Sequence, residues 1–352
     1  MLNDPVVETE ERLSSEGFGK CRAKLLPAGT LLISIFATIG RTAILGVDAT
    51  TNQAIVGVTP KENVDLNVRF LRRYLDYSVH KLIAQSRGVA QNNINGSILK
   101  ATQIPLLPLK EQDRIAGILD KADSIRRKRQ LACEVSCHLI DVVFHHFFGD
   151  CNLNAKQFTS CDFELLCDKI VDCPHSTPAY ADTETKFACI RSSDLQDGYV
   201  NWDSTKYVNK SEYQNRIARH TPVAGEVVYT REGGRLGNAA QIPAGASVCL
   251  GQRIMLFSAR HGETTNEYIW ALLNTPGIRH QVRSLTAGAA APRVNIKDLK
   301  RLKAFLPPYK LQQQFTLAVR KIEALRQEQI DADAESEDLF QSLVQRAFRG
   351  EF

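Results

Sequence analysis

The chain has 352 residues, 43% of them hydrophobic and 24% charged, which is ordinary for a globular protein with ample core and suggests about two domains. The most apolar stretch, 25–45, is interrupted by proline, glycine and arginine, so nothing approaches the roughly 20 apolar residues of a membrane span. Residues 1–11 are acidic and lack the basic and apolar regions of a signal peptide. These features argue against a membrane or secreted protein.

Charge and cysteine content bear on the kind of partner, the cellular compartment and the presence of a metal site. The net charge of +5 is mildly basic and permits a polyanionic partner. Nine cysteines, an odd number without framework spacing, favour a reducing cytoplasm. Cys167, Cys173 and His175 lie close together in the sequence, but zinc needs a fourth ligand at suitable spacing and the sequence offers none. We therefore predict a cytoplasmic protein with buried free thiols and no metal site.

The first half of the chain predicts a β-rich region followed by helices. A turn at 27–29 leads into strand-like residues 30–35, and a helical stretch follows over 66–84. A long helix begins at Pro108, a residue type favoured at helix starts, and runs to about Phe148. At 1.5 Å per residue, its length is roughly 60 Å.

The second half repeats this order. A turn at 223–225 precedes strand-like residues 226–230, helical residues follow over 265–273, and Pro308 begins a second long helix. At an offset of 200 residues, the matching pairs include Gly88 and Gly288, Asn95 and Asn295, Pro108 and Pro308, Gln112 and Gln312, and Phe148 and Phe348. One register held over about sixty residues indicates a duplication. The chain is thus two copies of one unit, each a β-rich region followed by a long helix.

Apolar residues recur at helical spacing on both long helices and form a predicted helix interface. They are Ile115, Ile118, Leu119 and Ile125 in the first helix, and Phe315, Val319, Ile322 and Leu325 in the second. Near-heptad stripes favour a coiled coil of two antiparallel helices. The basic run 126–129 would then meet the acidic residues between 328 and 338. The alternative is that each charged run is a solvated helix face.

The order of these motifs resembles the specificity subunit of type I restriction–modification systems. The family's helix entry appears as Leu306-Pro307-Pro308-Tyr309-Lys310-Leu311-Gln312, and in the first copy as 107–116. Further family segments are Ile39-Gly40-Arg41 through Asn52-Gln53, the stretch from Gly88 to Asn95, and Ile190-Arg191-Ser192-Ser193-Asp194-Leu195 followed by Gly198. Each segment alone is weak, but their order and duplication cover nearly the whole chain.

The resemblance implies an α+β fold in which two β-rich target-recognition domains are joined by two long antiparallel coiled-coil helices with pseudo-twofold symmetry. Target-recognition domain 1 would occupy 1–107, the first conserved helix 108–149, target-recognition domain 2 residues 150–307 and the second conserved helix 308–352. Copy one lacks about 34 residues that copy two has at its start, from Phe163 to Gln196. The first domain is therefore expected to be incomplete at its N-terminus, through truncation or through a start that lies further upstream.

The resemblance also implies the function. Each recognition domain would read one half of a bipartite site in double-stranded DNA, and the helices would set the spacer and dock methyltransferase subunits. Catalysis would belong to those subunits and to a restriction endonuclease subunit, which would carry S-adenosylmethionine, ATP and Mg. The chain itself would bind no cofactor and would not be an enzyme. The alternatives are a truncated or phase-variable DNA-binding paralogue, and a self-contained enzyme that uses Cys or His.

Candidate DNA-binding residues are polar side chains in loops beside glycine turns. Arginine suits guanine, and asparagine or glutamine suits adenine, through bidentate contacts in the major groove. The candidates are Arg41, Gln53, Arg87, Gln91 and Asn92 in copy one, and Arg231, Arg235, Asn238, Arg253 and Arg293 in copy two. The segment 230–237 is the foremost loop, because two glycines lie between two arginines. The alternatives are a plain hairpin turn, a solvated charge or a phosphate contact.

Overall fold

The computed structural model describes residues 5–9, 11–21, 23–36, 38–86, 94, 96–137, 139–151, 153–286 and 292–352. Its chain divides into two compact units. Unit 1 comprises Met1–Ala132 with Gln329–Phe352, and unit 2 comprises Cys133–Glu328. The mixture of helices and sheets that the sequence predicts is confirmed. No helix within the described ranges has the length and apolarity to cross a membrane.

Unit 1 is a small antiparallel sheet covered by helices. Its elements are α1 (Ser15–Lys20), β1 (Leu31–Ser34), β2 (Thr42–Ile44), β3 (Ile55–Val58), α2 (Val68–Ser86), α3 (Gly96–Ala101) and α4 (Leu109–Cys137), of which α4 continues into unit 2. The strand order is β2-β1-β3, and all of β1 is buried. One core cluster joins β1 to α2 through Leu31, Ile33, Leu71 and Leu75.

Unit 2 is larger and carries more strands. Its elements are α5 (Leu139–Phe148), β4 (Thr159–Asp162), β5 (Cys167–Asp172), β6 (Ala188–Ile190), β7 (Lys206–Tyr207), α6 (Lys210–Arg216), β8 (Val227–Thr230), β9 (Ala239–Gln241), β10 (Val248–Leu250), β11 (Ile254–Ala259), α7 (Asn266–Asn274), α8 (Pro276–Leu285), α9 (Ile296–Lys300), β12 (Lys303–Leu306) and α10 (Tyr309–Arg349). From Gln329 onward, α10 belongs to unit 1. The sheets have the orders β5-β11-β8-β9, β10-β6-β7 and β12-β4.

Three strands of unit 1 have counterparts in unit 2 with the same register. In β1 and β3, Leu31 lies opposite Val58, and in β8 and β11, Val227 lies opposite Phe257. The turns before β1 and β8 both contain a glycine with φ of 85°, a backbone conformation that side chains other than glycine's rarely adopt. The second edge of β11 pairs with β5, whereas β3 has no second partner strand among the residues that the structure describes. The strand β5 lies within the early segment that copy one lacks.

A buried glutamine fixes the start of each long helix in the same way. In unit 1, Gln112 accepts a hydrogen bond from the Asn67 amide (2.8 Å) and donates to the carbonyls of Asp65 and Leu107 (2.8 Å each). In unit 2, Gln312 accepts from the Thr265 amide (3.1 Å) and donates to the carbonyls of Glu263 (3.0 Å) and Pro307 (2.8 Å). Both glutamines have no exposed surface. We call each of these arrangements a glutamine clamp.

The predicted helix stripe is buried at its start and exposed further along. Ile115, Leu119, Phe315 and Val319 are buried, and Ile118 and Ile322 are half-buried. In unit 1, Ile115 and Leu119 pack with Val344 and Ala347 near the end of α10. In unit 2, Phe315 and Val319 pack with Ile140, Phe144 and Phe148 of α5.

Ile125 and Leu325 differ from the expectation of a continuous buried stripe. They are 46% and 50% exposed. Helical spacing places them in line with the buried residues, but spacing does not state how far along the helix a partner surface extends. Within this chain they are not part of the buried helix contacts.

Candidate nucleic-acid interface

Three separate segments of unit 2 lie side by side where β8 ends and β11 begins. The amide of Arg231 donates to the carbonyl of Arg253 (3.1 Å), and the amide of Val294 donates to the carbonyl of Arg231 (3.1 Å). Glu232 forms an isolated antiparallel bridge with Arg293. The three arginines predicted from distant parts of the sequence are therefore neighbours along one end of the sheet. We call this group of segments the sheet-end cluster.

The side chain of Arg231 points into this cluster and is held by Asp172 at the end of β5. Its Nε atom lies 3.1 Å from Asp172 Oδ1, and the two side chains are 12% and 13% exposed. Asp172 Oδ2 also lies 3.3 Å from His175 Nε2, whose side chain is 71% exposed. A buried ion pair is costly to break because it leaves an unpaired charge. This geometry gives Arg231 a positioning role in the unbound chain.

Arg235 and Asn238 contact a single carbonyl. Arg235 Nη1 donates to the Leu195 carbonyl (3.1 Å), and Asn238 Nδ2 donates to the same oxygen (3.3 Å). Both residues are half-buried. The loop after β8 is thereby tied to the early segment of unit 2 through Leu195.

That early segment is itself locked by an ion pair. Asp194 has no exposed surface and accepts from the Arg191 amide (2.9 Å), Nε (3.0 Å) and Nη2 (2.8 Å). The Arg-x-x-Asp segment is therefore explained by a closed turn. Gly251, which precedes β11, packs against this turn, because a Cβ there would lie 2.7 Å from the carbonyl oxygen of Ile190.

Arg253 and Arg293 are the exposed cations of the cluster. The side chain of Arg253 is 58% exposed, and its Nε lies 3.6 Å from Glu232 Oε1. Its backbone has φ of 67°, an uncommon conformation for a residue other than glycine. Arg293 is exposed and forms no ion pair with the described part of the chain. These two side chains can reach a phosphate or a base edge without first breaking a buried contact.

The equivalent end of the sheet in unit 1 carries Arg41 and Gln53, and both are exposed. Arg41 occupies the position of Asn238, because Ser34 N donates to the Arg41 carbonyl (2.9 Å) as Thr230 N does to that of Asn238 (2.9 Å). The remaining copy-one candidates, Arg87, Gln91 and Asn92, lie outside the described residues.

Two polar residues of the cluster were not among the sequence candidates. His175 contacts Asp172, and Gln252 Nε2 donates to the His175 carbonyl (3.1 Å) and to Thr177 Oγ1 (3.3 Å). Gln252 could have been found, because it aligns with Gln53 in copy one. The sequence drew attention to His175 only as a possible metal ligand, and its place beside Asp172 could not be predicted, since it depends on β5 pairing with β11.

The cysteines of unit 2 include buried thiols. Burial raises the pKa of Cys167 to about 12 and also raises the pKa of Cys173. A thiol with a raised pKa is a poor nucleophile and metal ligand at neutral pH. Across the described ranges, no group of three or more His, Cys, Asp or Glu residues has the arrangement of a metal site.

The amino-acid sequence of the chain is similar to that of a known protein family and of several characterised proteins. Residues 2–134 match the family described as type I restriction modification DNA specificity domain. The specificity subunit of the type I restriction enzyme MjaIX from Methanocaldococcus jannaschii is 27% identical over 147 residues, which are 40% of this chain and 33% of that protein. The specificity subunit of the type I restriction enzyme EcoBI from Escherichia coli is 21% identical over 355 residues, 91% of this chain and 73% of that protein. The chain thus spans about a third of the length of the first relative and about three quarters of the second.

A solved structure has the same fold. The crystal structure of the S subunit of a type I restriction–modification system from M. genitalium is similar with a TM-score of 0.61 and 15% identity. The similarity covers 92% of this chain and 84% of that chain. At this identity the likeness establishes the mixed helix-and-sheet fold.

Proposed function

We propose that the chain is a specificity subunit of a type I restriction–modification system, which binds double-stranded DNA and selects the sequence on which such a complex acts. The match of residues 2–134 to the DNA specificity domain family and the similarity to the EcoBI specificity subunit over 91% of the chain support this proposal. Each unit reads one half of a bipartite site, and the long helices set the spacer and dock methyltransferase subunits. Methylation and cleavage take place on partner subunits, which hold S-adenosylmethionine, ATP and Mg. The chain contributes recognition and no catalysis.

The observation that carries this proposal is the sheet-end cluster of unit 2. It brings Arg253 and Arg293 together from segments 40 residues apart and leaves both exposed. Arginine forms the commonest specific contact to guanine and also contacts phosphate. Arg231 is held by Asp172, so it supports the cluster, while Arg253 and Arg293 contact the DNA.

In unit 1, Arg41 and Gln53 occupy the matching end of the sheet and read the other half-site. Their loops differ from those of unit 2 in sequence: 35–39 reads Ile-Phe-Ala-Thr-Ile, whereas 231–236 reads Arg-Glu-Gly-Gly-Arg-Leu. Different loops on one scaffold suit two different half-sites, because binding residues vary on loops while the scaffold positions them.

The test is sequencing of methylated sites in DNA modified by the chain assembled with its methyltransferase subunits. Arg253→Ala and Arg293→Ala should each cost about 1–3 kcal/mol on the cognate sequence if the arginine reads a base, with a relaxed preference confined to one half-site. A uniform loss across sequences would instead assign the arginine to phosphate. Arg219→Ala is the matched control, since Arg219 is exposed and lies in the segment that leads into the opposite end of β8. Methylation unchanged in both cluster variants, or altered equally by the control, would contradict the proposal.

A further inference from the structure

The two units use interchangeable contacts to hold the start of their long helices. The glutamine clamps of Gln112 and Gln312 have the same three partners in kind, one amide and two carbonyls. Backbone groups are alike in every segment, so either glutamine would satisfy either set. The clamps therefore fix the position of a helix start without identifying which helix it is.

The apolar contacts beside the clamps are also alike in kind. In unit 1, Phe70 packs with Ile115 and Leu119. In unit 2, the corresponding residues Tyr268, Phe315 and Val319 belong to one core cluster. Hydrophobic burial is non-directional, and cores tolerate swaps between apolar residues of similar size. These contacts offer little discrimination between the two helix starts.

The next contact along the same interface is reversed in charge. In unit 1, Arg69 of α2 lies 3.2 Å from Asp120 of α4. In unit 2, Glu267 of α7 lies 2.9 Å from Arg320 of α10. The positions correspond: Arg69 and Glu267 each lie two residues after the clamped amide, and Asp120 and Arg320 each lie eight residues after the clamping glutamine. The basic partner is on the globular part in unit 1 and on the long helix in unit 2.

Neighbouring residues strengthen the difference in charge between the two interfaces. Arg73, whose side chain is 6% exposed, lies 2.8 Å from Asp120. The side chain of Glu267 is 11% exposed and accepts a hydrogen bond from the Thr316 hydroxyl (3.3 Å). If the helix starts were exchanged, Arg320 would face two arginines and Asp120 would face Glu267. Like charges in a partly desolvated interface are strongly unfavourable.

We propose that this charge-reversed pair is a pairing determinant that directs each long helix to its own unit during folding. A duplicated sequence with identical interfaces would allow each helix start to pack on the other unit, within one chain or between chains. Proteins gain specificity when an alternative arrangement would place like charges against each other, because that arrangement is then disfavoured. The inference concerns assembly of the fold and stands independently of the proposed DNA recognition.

The first test uses the exposed member of the pair, because the Arg320 side chain is 68% exposed and its replacement leaves the core intact. Full-length Arg320→Glu and Arg320→Gln chains are unfolded in urea, refolded at several concentrations and separated by size. The carboxylate introduced at position 320 would repel Glu267 and attract Arg69. We therefore expect about tenfold less correctly folded monomer from Arg320→Glu than from Arg320→Gln, a difference of about 1.4 kcal/mol. Equal recovery from the two variants would overturn the proposal.

The second test detects the exchanged arrangement directly, in the double variant Glu267→Lys, Arg320→Glu. There the lysine introduced at position 267 meets a carboxylate in either arrangement: the one introduced at position 320 in the native pairing, and that of Asp120 in the exchanged pairing. Zero-length carbodiimide cross-linking and mass spectrometry, before and after refolding, should show a link between position 267 and Asp120 appear on refolding. Refolding with the link between positions 267 and 320 alone would overturn the proposal.

The matched control for the double variant exchanges the charges of a pair that lies away from the helix starts. The side chains of Lys300 and Glu164 are 40% and 44% exposed, and their charged atoms lie 3.4 Å apart. The double variant Glu164→Lys, Lys300→Glu should refold like the original chain, with no link to Asp120. A link to Asp120 in this control as well would show that charge exchange in general disturbs refolding, and it would overturn the specific role of the Glu267–Arg320 pair.

Discussion

At the scale of single residues, the glutamine clamps explain why one short motif recurs in both halves. A glutamine four residues after the proline that precedes each helix meets an amide and two carbonyls at once. Glutamine alone among uncharged side chains of this length has both an acceptor and two donors. The recurrence of the motif is therefore explained by the hydrogen bonds of the helix start.

Replacement of a clamp glutamine should destabilise its unit. Gln312→Leu would leave the Thr265 amide and the Glu263 and Pro307 carbonyls without their partner, and we expect a loss of about 3 kcal/mol in the free energy of unfolding. Urea unfolding of the full chain measures it. Gln313→Leu is the control, since Gln313 is the exposed neighbour and should change stability by less than about 0.5 kcal/mol. Equal losses from both variants would contradict the clamp.

The glycine before β11 gives a second prediction at this scale. Gly251→Ala places a methyl group 2.7 Å from the Ile190 carbonyl oxygen and 3.3 Å from the Arg191 Cα, and a backbone clash of this kind costs about 1–3 kcal/mol. Because the displaced segment carries Gln252 and Arg253, the variant should also weaken DNA binding. Gly234→Ala is the control, since a methyl group there meets no atom within 4 Å. Thermal unfolding measures the loss of stability, and DNA titration measures the loss of affinity. Both losses are expected in Gly251→Ala and neither in Gly234→Ala.

At the scale of the helices, a charged network on α4 organises unit 1. Asp123, which is 3% exposed, contacts Arg73 (3.0 Å), Arg126 (2.8 Å) and Arg127 (3.0 Å). Arg126 continues to Glu337 of α10 (2.9 Å). The sequence predicted that the basic run of the first helix meets acidic residues of the second, and the ion pair between Arg126 and Glu337 is of this kind. The other contacts of this network lie within α4 or reach α2.

The network makes the stability of unit 1 depend on pH. Burial alone would raise the pKa of Asp123, but the Arg126 hydrogen bond and the charges of Arg73 and Arg127 lower it to about 2. A carboxyl with a lowered pKa in the folded state stabilises the fold above its ordinary pKa of 3.8, and this contribution is lost as the pH falls toward 2. The shift corresponds to about 2 kcal/mol.

Asp123→Asn should therefore be less stable than the original chain at pH 7 by at least about 2 kcal/mol, and the difference should shrink between about pH 4 and pH 2. Urea unfolding of both chains at several pH values measures this. Asp338→Asn provides the control, because Asp338 is an exposed carboxyl in the same unit. A difference that stayed constant over this acidic range would show that Asp123 acts through packing and not through its charge.

The elements were predictable from sequence where the duplication supplied two examples of one pattern. The strands at 31–34 and 227–230 and the long helices from 109 and 309 follow the expected order. The end of the buried stripe was not predictable, since Ile125 and Leu325 have the same spacing as buried neighbours. Nor was the inward position of Arg231, because its partner Asp172 is 59 residues away in sequence and approaches only through the pairing of β5 with β11.

At the scale of the whole molecule, modest net charge and local clusters determine how the chain meets a polyanion. The net charge of +5 on 352 residues is small, and many arginines are already paired with carboxylates inside each unit. Binding to a polyanion is therefore expected to depend on where exposed cations are clustered, as Arg253 and Arg293 are at one end of the sheet of unit 2.

This distribution predicts that DNA affinity falls as the salt concentration rises, with a slope set by the number of phosphates that the cations contact. Each phosphate that a cation neutralises releases counterions, so the logarithm of the binding constant should fall linearly with the logarithm of salt concentration, by about 0.9 per phosphate contacted. If Arg293 contacts a phosphate, Arg293→Ala should reduce this slope by about 1 and weaken binding equally for all sequences. If it reads a base, the slope should change less and the loss should fall on the cognate sequence. Titrations of the assembled complex at several salt concentrations, with Arg219→Ala as the control, measure the slope. An affinity independent of salt would contradict DNA binding by these cations, because neutralising phosphates always releases counterions.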